Sequence, residues 1–222
     1  MKKLSRGILV TIEGIDCCGK STFVTQLKSL IKNLPVVFTQ EPGGTPFGCN
    51  LRTLVQQQQT PLDAKTEFLL FAADRAQHFH EIVRPAIAQK KLVISDRMAD
   101  SSLVYQSYVR GLDSALITTV NEWIMAPLAP DLIFFIDITV DQAIKRINQR
   151  PKRASLLTRE QRSFITDDPT IKNIQKAHAG YQQLFKEKTN VIKLNGQHAP
   201  SELANEGVKQ LYTWLEQHNI YE

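Results

Sequence analysis

The sequence predicts an α/β fold, a three-layer sandwich in which helices flank a five-stranded parallel sheet. Three observations carry this expectation. Five short runs are mostly apolar and β-branched, as strands covered on both faces are. Segments with helical spacing alternate with them. At the first strand–helix junction, Gly14-Ile15-Asp16-Cys17-Cys18-Gly19-Lys20-Ser21 matches G-x-x-x-x-G-K-[ST].

Residues 8–12 (ILVTI) form the first strand, and apolar residues at helical spacing follow from Ser21. Strand, glycine loop and helix are the context a phosphate-binding loop requires. Its glycines let backbone N–H groups turn inward around phosphate oxygens, and the helix N-terminus adds its positive dipole end. Lys20 is expected to reach the outer phosphates and the Ser21 hydroxyl to coordinate Mg2+. The chain therefore reads as one that binds a nucleoside triphosphate, through Gly14, Ile15, Asp16, Cys17, Cys18, Gly19, Lys20, Ser21 and Thr22.

Residues 36–39 form a second strand, and Pro42-Gly43-Gly44-Thr45-Pro46 breaks the chain into a loop. A long helix is predicted from about Asp63 to Lys90, kinked at Pro85. Residues 92–94 form a third strand that ends at Asp96-Arg97. Asp113 caps a helix that stops near Pro127. Residues 132–136 (LIFFI) form a fourth strand, and Thr139-Val140-Asp141-Gln142 reads as a capping box. Asp168-Pro169 opens a helix with Ile171, Ile174, Tyr181, Leu184 and Phe185 inward. Residues 191–194 close the sheet, and a last helix spans about Ser201 to Leu215. With no visible repeat or linker, residues 1–222 read as one domain.

The 222 residues include 27 Lys plus Arg against 22 Asp plus Glu, a net charge of +5. No basic stripe of the kind that tracks nucleic acid is visible. The densest cluster is Arg150-Pro151-Lys152-Arg153 with Arg159 and Arg162 after it, which phosphates on a small ligand explain as well. The apolar runs are too short for a bilayer, and the start lacks a secretory pattern, so the expected location is cytoplasmic. Three cysteines, Cys17, Cys18 and Cys49, argue against a disulfide framework. Cys17 and Cys18 read as small loop fillers, with redox control of the loop as the sharper alternative.

A phosphoryl transferase needs a second anion site facing the first and a cover that excludes water. Asp96 and Arg97 follow the third strand, at the sheet edge where open α/β folds bind ligands. The Asp96 carboxylate can hold Mg2+ and Arg97 can grip an acceptor phosphate; a strand-end ion pair is the plainer reading. Arg52 is a second phosphate candidate, or a solvated arginine. Phe71 and Arg75, four residues apart, share a helix face where a ring can stack on a base and a guanidinium can meet a carbonyl. Taken alone, Phe68, Phe71 and Phe79 read as core residues, and His78 and His80 as ordinary side chains. The basic segment from Arg150 to Arg162 reads as a solvated run or as a loop that folds over the transferring group.

Over nearly its whole length the chain resembles the bacterial thymidylate kinases of the nucleoside monophosphate kinase group. The resemblance rests on residues 13–22, on Glu41-Pro42-Gly43-Gly44-Thr45, on residues 69–78 (LLFAADRAQH), and on Asp96-Arg97 through Ser101-Ser102 to Tyr105-Gln106. It implies the P-loop NTPase sandwich, with a lid at about residues 148–166, and the substrates ATP and dTMP with Mg2+. Phe71 would stack on thymine, Arg75 would bond its carbonyl edge, and Ser102 and Gln106 would complete the base pocket. Tyr105 would fill the space of a 2′-hydroxyl. Arg97 and Arg52 would hold the monophosphate, Glu41 would support the metal or phosphate region, and Asp16 would orient the acceptor. With no arginine in the phosphate loop, Arg150, Arg153 and Arg159 would supply lid cations, Arg153 and Arg159 as catalytic groups. Leu157-Thr158-Arg159-Glu160 departs from the Leu-Asp-Arg usual there, and Gln40 stands where an arginine is common. The group also implies a homodimer. A kinase for another nucleotide, a switch or motor NTPase, and a silent nucleotide-binding module remain as alternatives.

Overall fold

The computed structural model describes residues 3–58, 60, 62–149 and 171–221. In chain order these form β1 (Ile8–Glu13), α1 (Lys20–Leu30), β2 (Val36–Gln40), α2 (Pro46–Gln56), α3 (Ala64–His78), α4 (Arg84–Ala88) and β3 (Leu92–Asp96). There follow α5 (Ala99–Ser102), α6 (Ser114–Met125), β4 (Leu132–Asp137), α7 (Val140–Gln149), α8 (Ile171–Phe185), β5 (Val191–Asn195) and α9 (Pro200–Gln217). The five strands make one parallel sheet in the order β2-β3-β1-β4-β5.

β1 is central because every one of its side chains is buried. Alternation along it feeds two cores. Ile8, Val10 and Ile12 pack with Phe23 and Leu27 of α1 and Leu211 and Leu215 of α9. Leu9 packs on the other face with Phe68, Phe79, Val83, Val93 and Ile117. Ile12 pairs with Asp96 on one side and with Phe134 on the other, which aligns the carboxyl ends of β1, β3 and β4. That shared edge is where both functional loops emerge.

Local signals place the helix starts. Asp63 Oδ2 accepts from the N–H groups of Lys65 and Thr66, and Asp113 Oδ1 accepts from that of Ala115. Thr139 and Gln142 exchange the two bonds of a capping box.

Pro85 is handled differently from the expected kink. The helix begun by α3 widens into a π-turn over Phe79–Val83, where the Arg84 N–H reaches the carbonyl of Phe79, and then continues as α4. The wider turn comes just ahead of the ring that would collide with a regular i−4 carbonyl. A second π-helical stretch, Leu103–Val109, carries Tyr105 and Gln106. Ile171 also departs from expectation: it is 54% exposed, because it stands in the first turn of α8, ahead of the buried stretch that starts at Ile174. Asp168-Pro169 and nearly all of the expected lid lie outside the described residues.

Candidate active site

The phosphate loop leaves β1 at Gly14, whose φ of 147° favours glycine and where a Cβ would sit 2.6 Å from the carbonyl oxygen of Ile136. Lys20 Nζ donates to the carbonyls of Gly14 (2.8 Å) and Ile15 (3.0 Å) and lies 3.6 Å from Cys18 Sγ. An ammonium has three N–H groups: two meet carbonyls, and the third meets only the weak acceptor Cys18 Sγ, which a phosphate oxygen would readily replace. Ser21 and Thr22 stand exposed in the first turn of α1. Ser21 Oγ is 3.4 Å from Asp96 Oδ2, and Asp96 Oδ1 is buried without a hydrogen-bond partner. A hydroxyl beside a carboxylate with an unmatched oxygen is the donor set a hard divalent cation such as Mg2+ takes.

Arg146 of α7 escaped sequence reasoning. Its guanidinium donates to the carbonyls of Cys17 (3.2 Å), Cys18 (3.0 Å) and Gly196 (2.6 Å), tying the loop to the segment after β5. All three acceptors are backbone groups distant in sequence, so no spacing pattern announces them.

Arg97 faces the loop from the end of β3. Its Nη2 pairs with Asp16, and Nη1 donates to Ser101 Oγ at 3.0 Å. The guanidinium lies 5.1 Å from the centre of the Tyr105 ring. Asp16 and Arg97, remote in sequence, thus meet at one point.

Beyond Arg97 opens a pocket lined by Phe71, Arg75, Ser102, Tyr105 and Gln106, with Glu41, Asp74, Met98 and Ser101. Arg75 is held on three sides: Nε donates to Glu41 Oε2 (2.8 Å), Nη2 to Ser102 Oγ (3.0 Å) and Nη1 to Asn121 Oδ1 of α6. One N–H on each η nitrogen remains for a carbonyl in the pocket. Both oxygens of Glu41 are engaged, by Arg75 and by His78 Nδ1 (2.8 Å), and His78 Nε2 bonds Thr39 Oγ1 (2.6 Å). Glu41 therefore braces Arg75 in this structure, and His78, fully buried, is part of the site rather than an ordinary side chain.

Gln106 Nε2 donates to Glu67 Oε1 at 2.7 Å, and burial raises the Glu67 carboxyl above its ordinary range. Burial, helped by the charge of Glu41, pushes Asp74 up to about 6. Asp74 Oδ1 accepts from the Gly43 N–H (3.2 Å) and so fixes the Gly43-Gly44 turn. Arg52 of α2 donates to the Pro42 carbonyl (3.0 Å), beside that turn and outside the pocket lining. Arg150, Arg153 and Arg159 lie outside the described residues.

The thymidylate kinase family model matches residues 12–206. The chain belongs to the thymidylate kinase family. It is 33% identical over 211 residues to the thymidylate kinase of Kosmotoga olearia, covering 94% of this chain and 97% of that one. It is 46% identical over 143 residues to that of Halothermothrix orenii, 64% of this chain and 69% of that one. The crystal structure of thymidylate kinase from Ehrlichia chaffeensis superposes with a TM-score of 0.72 at 27% identity, covering 93% of this chain and 99% of that one. Membership in a thymidylate kinase family makes this protein a nucleoside monophosphate kinase, and the five-stranded parallel sheet is the sandwich expected of one.

Proposed function

We propose that this protein transfers the γ-phosphoryl group of ATP to dTMP, giving dTDP and ADP. The observation that carries the reading is the junction at Arg97: one guanidinium lines the pocket of Phe71 and Arg75 and also pairs with Asp16 of the phosphate loop. A nucleotide seated with its base between Phe71 and Arg75 would present its phosphate at that junction. Arg75 offers N–H donors to a thymine carbonyl, whereas a cytosine amino group would meet donor with donor. The buried Tyr105 ring crowds the sugar side and favours deoxyribose.

The acceptor phosphate is already an anionic nucleophile, so alignment and charge neutralisation carry the reaction and no strong base is needed. Arg97 would neutralise and hold the acceptor, Asp16 would orient it, and Lys20 would stabilise charge on the transferring group. Ser21 and Asp96 would hold Mg2+, which supplies charge neutralisation to the triphosphate when bound. Arg52, Arg153 and Arg159 are further cationic candidates from the sequence. A homodimer and a cytoplasmic location complete the proposal; no helix among the described residues is long and apolar enough to cross a membrane.

A coupled assay of ADP production tests this with ATP and Mg2+, comparing dTMP, dUMP, UMP, dCMP and no acceptor. Strong turnover on dTMP over a weak blank is expected. Equal hydrolysis without acceptor would make the protein an NTPase instead.

A further inference from the structure

Beneath Arg97 lies a buried cluster that the mechanism above does not use. Glu13, the last residue of β1, and Tyr181 of α8 are both fully buried. The Tyr181 hydroxyl donates to Glu13 Oε2 at 2.9 Å, and Ser101 Oγ donates to the same oxygen at 2.6 Å. The Met98 N–H donates to Glu13 Oε1 at 2.8 Å. On the other side of these hydroxyls, Arg97 Nη1 lies 3.0 Å from Ser101 Oγ and 3.5 Å from the Tyr181 oxygen.

A hydroxyl has one proton, so a hydroxyl that donates to Glu13 can only accept from Arg97. The carboxylate thereby fixes the polarity of both groups that steady the guanidinium. Arg97 needs such support, because its φ of 70° is a left-handed conformation that a non-glycine residue adopts only when its surroundings hold it.

We propose that Glu13 and Tyr181 are positioning residues that set Arg97 for the acceptor phosphate. The inference rests on the reading of Arg97 as the phosphate ligand. It links α8 directly to acceptor geometry and gives the acid ahead of the phosphate loop a role in the opposite half of the site. Burial holds the Tyr181 hydroxyl protonated, reinforced by Glu13. Burial and the charge of Asp100 push the Glu13 carboxyl up to about 7 against its bonds from Ser101 and Tyr181, so the test is run at pH 8, where it is ionised.

The test is titration of dTMP and of thymidine, which lacks the phosphate, into the wild type and into Tyr181→Phe. Phenylalanine keeps the ring contacts to Phe135 and Phe185, both at 5.6 Å between centroids, and removes only the hydroxyl. We expect dTMP to bind about tenfold more weakly while thymidine stays within about twofold. Glu13→Gln, whose amide would turn a hydroxyl proton toward Arg97, should act in the same direction and serves if Tyr181→Phe fails to fold. Unchanged dTMP affinity, or a parallel loss for both ligands, would overturn the proposal. A wild type that binds thymidine as tightly as dTMP would overturn the assignment of Arg97 itself, and this inference with it.

Discussion

Arg75 shows how much of this site is set by a single side chain. Its flat fork meets Glu41, Asn121 and Ser102 at once and still has two N–H groups to offer. A lysine ammonium cannot reach three such partners. Arg75→Lys is therefore expected to lower kcat/KM for dTMP about 100-fold, roughly 2.7 kcal/mol of transition-state stabilisation, with KM for ATP unchanged. An equal rise in both KM values would place Arg75 outside the base pocket. Glu13 yields a prediction of a different kind. Its folded pKa, about 7, stands above the ordinary 4.5, so the folded state holds a proton that the unfolded state has released between those values. Stability from this group therefore falls as pH rises from about 4.5 to about 7, and is level above that. Relative to Glu13→Gln, the wild type should lose about 1.4 kcal/mol for each pH unit inside that window. Parallel melting curves for the two proteins from pH 4.5 to 8 would refute it.

At the scale of elements, the contact that shapes the acceptor side is the approach of α2 to α3. A Cβ on Gly48 would lie 2.1 Å from Asp74 Oδ1, the oxygen that holds the Gly43 N–H. Gly48→Ala must push α2 from α3 or break that bond, and either shift moves Arg52 and the Gly43-Gly44 turn. The expected result is a loss of about 1–3 kcal/mol in thermal unfolding, as overpacking usually brings, together with a raised KM for dTMP. Normal melting with normal kinetics would show that the turn tolerates the shift.

The same contrast explains what could be read in advance. The phosphate loop, the apolar strand runs and the caps at Asp113 and Thr139 are each written in a few consecutive residues, so pattern and spacing announce them. The brace behind Arg75 joins Thr39, Glu41, His78 and Asn121 from separate parts of the chain, and among the described residues Arg146 donates to backbone carbonyls. Such contacts exist only after the sheet has aligned its strand ends. Family resemblance pointed to Phe71, Arg75 and Arg97 and also to Glu41, Ser102 and Asp16, but it gave the last three other roles than holding the two arginines.

For the whole molecule, the apolar surface argues for a second copy. Leu116 and Trp123 of α6 are seven residues apart, hence on one face two turns along, and they are 58% and 80% exposed. Leu69 of α3 is 62% exposed, and α3 packs against α6. Large apolar side chains left to water on two adjoining helices are typical of a surface meant to be covered, and closed two-fold dimers are the commonest way to do so. The same two helices carry Phe71, Arg75 and Asn121, so a dimer through this face would steady the base pocket from behind. Light scattering at tens of micromolar protein should report twice the chain mass, and Trp123→Lys should halve it. The variant should also raise KM for dTMP more than KM for ATP, because α1, the helix that the phosphate loop opens, packs in the core on the other face of the sheet. A wild type that scatters as a single chain would refute the dimer. A monomeric variant with unchanged dTMP kinetics would instead keep the dimer and separate it from the pocket.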